Sequence, residues 1–170
     1  MREAIRLSLA KMRANQGGPF GAVVIRNGKI VGRGWNRVTS TNDPTAHAEI
    51  VAIRDACKRL KGFELDGCEL YTSCEPCPMC LTAIYWARFK HVYYGNTCKD
   101  ASKIAFDDDF IYREVKLPVS RRKIPMRQLL RSEALSLRSR PGRTSRTRLL
   151  TEFFALYLRS AASRAAWVLR

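Results

Sequence analysis

Two short stretches of this 170-residue chain hold residues able to bind a metal and use it. His47 and Glu49 stand in Pro44-Thr45-Ala46-His47-Ala48-Glu49, and Cys77 and Cys80 in Pro76-Cys77-Pro78-Met79-Cys80. One imidazole and two thiolates make a soft tripod that suits zinc and leaves the fourth tetrahedral position for water. An open position is a catalytic arrangement, because a metal lowers the pKa of its water to about 7. Glu49, two residues after His47, is placed to carry that water's proton without ligating. The competing interpretation is a structural zinc site, which would recruit a fourth Cys or His. Cys74 and His91 are the candidates for that role, but a structural site would need neither Glu49 nor the prolines beside both ligand turns.

The elements that must position these residues follow from periodicity and turn signals. Ile5, Leu9 and Met12 recur at helical spacing with Arg and Lys between them, so residues 2–16 read as an amphipathic helix ended by Gly17-Gly18-Pro19. Residues 20–26 form an apolar, β-branched run, Asn27-Gly28 is a hairpin signal, and residues 29–35 return as an antiparallel second strand. Residues 36–43 read as a loop, which leaves Asn36 at a strand end. Pro44 and Thr45 are helix-start signals, and Ile50, Ile53, Ala56, Cys57 and Leu60 continue the helix to about residue 61. His47 and Glu49 are therefore expected in its first turn. Residues 69–73 read as a strand, 79–87 as a second helix headed by the Cys pair, 91–95 as a strand and 101–106 as a short helix. At both ligand turns a helix N-terminus favours negative charge on thiolate and carboxylate. Asp107-Asp108-Asp109 follows as an acidic turn, either solvated or placed for a proton or cation. Residues 124–135 are helix-capable, with Pro125 acceptable at the first position.

Composition limits what the whole chain can be. A hydrophobic fraction of 46% suits a globular domain, here residues 1–135, and no apolar run approaches the ~18 residues needed to cross a bilayer. The six Cys, in a sequence read as lacking a signal peptide, fit a reducing cytoplasm better than a disulfide framework. The net charge of +16 is unevenly spread, since residues 131–170 hold nine Arg against two Glu. Without interleaved aromatics such a run reads as a solvated surface before it reads as a nucleic-acid site. Residues 136–148 are a Ser/Arg-rich linker by composition, and 149–170 an atypical tail with apolar content but no clean helical stripe. No internal repeat is present.

The His-x-Glu and Pro-Cys-x-x-Cys pair is the signature of zinc-dependent nucleobase deaminases. Gly17-Gly18-Pro19-Phe20-Gly21-Ala22, Asn42 to Glu49, Tyr71 to Cys80, Ala83 to Arg88 and Phe106 to Tyr112 together resemble the bacterial guanine deaminases over residues 1–135. That resemblance implies an α/β, three-layer α-β-α cytidine deaminase-like fold around a central mixed five-stranded sheet. It implies hydrolysis of guanine to xanthine and ammonia, with one zinc per subunit on His47, Cys77 and Cys80 and Glu49 as proton shuttle. By the same resemblance Asp108 is a second proton carrier, Asn36 hydrogen-bonds the purine, and Phe20, Ala48 and Trp86 bound it. A homodimer is implied, with a small-molecule purine as ligand. In the family a C-terminal segment crosses to the second subunit and closes its pocket with an aromatic residue. The Arg/Ser-rich stretch stands in place of that segment here, and the closing residue is assigned to neither Tyr157 nor Trp167. The alternatives are deamination of the transfer-RNA wobble adenosine, or of guanosine, cytosine or an amino-triazine. Outside enzymes, a zinc-stabilised protein that binds nucleic acid or a partner would need a fourth ligand such as Cys74.

Overall fold

A computed structural model describes residues 1–106 and 108–136. The chain divides into two compact units, Met1–Ile124 and a second beginning at Pro125. Within the first, the elements run α1 (Arg2–Arg13), β1 (Gly21–Arg26), β2 (Lys29–Trp35), α2 (Val38–Thr41), α3 (Ala48–Leu60), β3 (Glu69–Cys74), α4 (Pro78–Ala87), β4 (His91–Asn96), α5 (Cys98–Ser102) and α6 (Asp109–Lys116). A 3₁₀ turn, Val119–Arg121, follows. The second unit contributes α7 (Arg131–Ser136) among the described residues. The segments 137–148 and 149–170, with Tyr157 and Trp167, lie outside them, as does Asp107.

The sheet order is β2-β1-β3-β4. β1 runs antiparallel to β2 and β3, while β3 and β4 are parallel, so the sheet is mixed. Four strands, not the expected five, are formed by the described residues, because the chain after β4 enters α5 and α6 instead of returning to the sheet. Asn27 and Gly28, at φ 50° and 73°, make the hairpin turn read from their identities. β1 is one of the two inner strands and is buried on both faces over its first four residues. Ala22 and Val24 point to a core shared with Ala48, Ala52 and Ala56 of α3 and Ile84 and Ala87 of α4. Val23 points the other way, to Ala4 and Leu7 of α1, with Ile25 partly buried beside them. Three layers result, with α1 on one face and α3 and α4 on the other.

Small residues set how closely these layers approach. A Cβ on Gly34 would collide with the Ala48 carbonyl, and one on Gly32 would strike the backbone of α3 at Ala52. The alanine face of α3 therefore lies directly on β2, and that contact fixes the height of the helix start that carries His47. The same logic corrects the reading of α1. Its buried face is Ala4, Leu7 and Ser8, packed onto Gly21, whereas Ile5, Leu9 and Met12 are each about 40% exposed. The helix also ends at Arg13 rather than residue 16. The expected loop after Asn36 contains one helical turn, α2. Of the helix-capable residues 124–135 only Arg131 onward is helical, since Leu130 at φ 51° cannot continue a right-handed helix.

Candidate active site and metal centre

His47 and Cys77 are each the residue that precedes a helix. His47, with extended backbone at φ −65° and ψ 157°, is the N-cap of α3, and Cys77 at φ −64° and ψ 168° is the N-cap of α4. Both expected starts shift slightly: α3 begins at Ala48 and α4 at Pro78, the first-turn position that proline favours. Thr45, read as a helix-start signal, is instead bound through its N–H and hydroxyl to Asp43 Oδ1 at 2.8 and 2.6 Å. Cys80 lies one turn into α4 and is fully buried.

The three ligand atoms converge. They lie within 4.8 Å of one another, with His47 Nδ1 3.5 Å from Cys77 Sγ and 3.6 Å from Cys80 Sγ. For zinc–sulfur and zinc–nitrogen bonds of ordinary length, the tetrahedral edge joining them is ~3.6 Å. The donor set fits zinc in kind and in spacing. Hydrogen bonding with Cys80 and His47 holds the Cys77 thiol down at about 4, while the same interaction with Cys77, together with burial, raises the Cys80 thiol. Hydrogen bonding to Cys77 raises the His47 ring against its burial, with smaller contributions from the charges of Glu49 and Asp108. Neither rival ligand joins the group. Cys74 donates its thiol to Thr97 O at 3.6 Å and, by burial, is pushed up to about 11; His91 is exposed at the start of β4. A metal held by these three side chains alone would keep its fourth tetrahedral position open.

Glu49, in the first turn of α3 and 7% exposed, lies against this tripod. The Cys80 thiol donates to its Oε2 at 3.5 Å, and the Thr72 hydroxyl to its Oε1 at 3.1 Å. Burial raises its carboxyl above the ordinary range. Asp108 is the N-cap of α6, half-buried, without a capping bond from its side chain. Its charge reaches His47, Cys74 and Tyr112.

The supporting contacts were largely invisible in the sequence. Tyr112 of α6 donates its hydroxyl to Pro76 O at 2.9 Å, Glu75 N–H donates to Asn96 O at 2.8 Å, and the Glu75 carboxylate accepts from Cys98 N–H at 3.0 Å. The cysteine turn is thus gripped by β4, α5 and α6. On the opposite side Asn36 is 7% exposed, its N–H donating to Phe20 O at 3.0 Å and its Oδ1 accepting from Val38 N–H at 3.2 Å. Gly17, at φ 138°, passes so close that any Cβ would strike the Asn36 carbonyl. Phe20 is half-buried and meets Phe106 edge-on at 4.9 Å, which links the strand to the segment leading into the acidic turn. Ala48 is fully buried with its methyl in the core, so its backbone at the helix start is what it can offer a ligand.

Trp86 is not brought to this site. It stands six residues beyond Cys80, about 240° round the helix, is 78% exposed, and lines a surface recess with Thr82, Tyr85 and Arg88.

Comparison with known proteins agrees with the geometry. The cytidine and deoxycytidylate deaminase zinc-binding region matches residues 1–96. This chain belongs to that deaminase family. The deaminase is 53% identical over 136 residues to the guanine deaminase of Bacillus subtilis (strain 168), covering 80% of this chain and 87% of that protein. The X-ray structure of guanine deaminase from Bacillus subtilis superposes with a TM-score of 0.78 at 49% identity, covering 85% of this chain and 94% of that one. A tRNA-specific adenosine deaminase of Buchnera aphidicola subsp. Schizaphis graminum is 44% identical over 88 residues, 52% of this chain and 58% of that protein. The mixed sheet between helical layers is the cytidine deaminase-like fold, with four strands in the described residues. Among these residues no helix is long and apolar enough to cross a membrane.

Proposed function

We propose that this deaminase hydrolyses guanine to xanthine and ammonia. The observation that carries the substrate is the reach of the similarity: 136 matched residues extend past the zinc-binding region into the α5–α6 segment, whereas the match to the transfer-RNA enzyme spans 88. That segment contains Asp108 and Tyr112, the part of the site that the shared metal motif does not specify.

Zinc, one per subunit on His47, Cys77 and Cys80, supplies Lewis-acid polarisation of water when bound. Glu49 would take one proton of the attacking water and deliver it to the ring nitrogen beside the amino-bearing carbon; a carbon–oxygen bond forms, the carbon–nitrogen bond breaks, and the amine leaves as ammonia with the water's second proton. Asp108 serves the leaving amine as second proton carrier. Because Val38 N–H occupies Asn36 Oδ1, the Asn36 amide presents its N–H₂ to acceptor atoms on the purine edge. Phe20 bounds the ring, and the backbone of Ala48 closes the helix-start side. Trp86 faces away from its own pocket, and together with Tyr85, 70% exposed, it belongs to the contact surface of a homodimer.

The test is ammonia release by the zinc-loaded protein from guanine, guanosine, cytosine, adenine and an adenosine-containing anticodon stem-loop. Turnover of guanine alone supports the reading. Turnover of another member keeps the zinc chemistry and moves the substrate, and silence across the panel with zinc bound defeats it.

A further inference from the structure

The central sheet carries a hydroxyl where an apolar side chain would pack as well. Thr72 is 1% exposed on β3, on the face where Leu70 joins the α3–α4 core. A buried hydroxyl costs stability unless a partner compensates it, and valine has the same shape and the same preference for a strand. The partner here is Glu49, whose Oε1 accepts from Thr72 Oγ1 at 3.1 Å. The other oxygen, Oε2, is the one turned to the ligand group, 3.5 Å from Cys80 Sγ. Neighbouring Ser73 is differently employed, accepting from Gly21 N–H at 3.0 Å to join β3 to the start of β1.

We propose that Thr72 is a positioning residue for Glu49: its hydroxyl pins Oε1 and so aims Oε2 at the reacting water. The two ends of this hydrogen bond sit on different kinds of support. Thr72 is held by β1 on one side, opposite Ala22, and by β4 on the other, opposite Tyr94. Glu49 is on the first turn of a helix, where a glutamate side chain has three free torsions. The strand therefore supplies the rigidity that the longer side chain lacks, and the carboxylate enters the reaction already oriented.

The inference rests on the hydrolytic reading for its kinetic arm only. Thr72→Val and Thr72→Ala should bind one zinc per chain and keep the wild-type KM for guanine. Their kcat should fall about 10- to 100-fold, the loss expected for a hydrogen bond to a charged group. Thr72→Ser, which restores the hydroxyl, should come within about threefold of wild type. A second arm is independent of substrate: with ¹³C-labelled glutamate, the Glu49 carboxyl resonance, assigned by its loss in Glu49→Gln, should move in the valine and alanine variants and stay in the serine variant. Wild-type kcat in Thr72→Val, a kcat loss that merely tracks lost zinc, or an unmoved Glu49 resonance would overturn the proposal. A wild-type protein inert toward guanine would count against the substrate reading alone, and the resonance would still decide the role of Thr72.

Discussion

Glu49 combines properties that a structural carboxylate has no use for: it is buried, lies against Cys80 of the candidate metal tripod, and has a raised affinity for its proton. Glu49→Ala should therefore leave zinc content at one per chain by metal analysis and lower ammonia release by at least about 10²-fold, the low end for a missing acid–base group. Activity surviving that change would remove the assignment. As candidates these residues were legible in the sequence, because metal chemistry restricts which side chains suffice, so types and spacing single out His47, Cys77, Cys80 and Glu49, and the structure brings the first three within 4.8 Å of one another. Thr72 and Tyr112 were not, since a threonine in a strand and a tyrosine in a helix carry no chemical mark until folding places their hydroxyls 3.1 Å from Glu49 and 2.9 Å from Pro76 O. Trp86 marks the opposite limit: its identity suggests a ring for stacking, and the rotation of α4 points it elsewhere.

At the scale of elements, the helix that carries Glu49 is seated by what β2 lacks. Gly34→Ala should push α3 off the sheet, destabilise the protein by about 1–3 kcal/mol and weaken zinc binding with it, as read by thermal unfolding and metal titration. A normal melting temperature with normal zinc affinity would contradict the close-packing account. Tyr112→Phe removes one grip on the cysteine turn without removing bulk, and zinc affinity should fall about 10-fold, as for other groups that orient metal ligands indirectly. α1 offers a check by pH. Arg6, with Arg33 of β2 beside it, holds the Glu3 carboxyl down at about 2, against 4.5 for a free one. A depressed carboxyl stabilises the fold above the unfolded value and loses that contribution as pH falls from about 4.5 toward 2. Glu3→Gln should thus melt about 1–3 °C below wild type at pH 7, a difference that closes by pH 2; the pairs are partly exposed, which keeps the effect small. α1 also explains why element existence was easier to read than element orientation. Helical spacing is present in both Ile5-Leu9-Met12 and Ala4-Leu7-Ser8, and hydrophobicity favours the first set. Close approach to Gly21 selects the second, a steric criterion that depends on a residue 13 or more positions away.

For the whole molecule, charge separates the two deaminase readings. The protein carries +16, but guanine is neutral, so its encounter with the site is not steered. Its kcat/KM should change less than about twofold between 50 and 200 mM salt, whereas a polyanionic substrate would show a loss of about tenfold or more over that range. Steep salt dependence with guanine would mean that the basic surface takes part after all. The ligands themselves have a further meaning for the polymer. His47 is 30 residues from Cys77 and 33 from Cys80, on separate helices, and the described cysteines form no disulfide. An ion gripping both segments closes a loop of that length, a cross-link of the kind that removes about 3–4 kcal/mol of chain entropy from the unfolded ensemble when it is covalent. A metal held there would double as the molecule's staple, so starving this deaminase of metal should shorten its lifetime as well as stop its reaction.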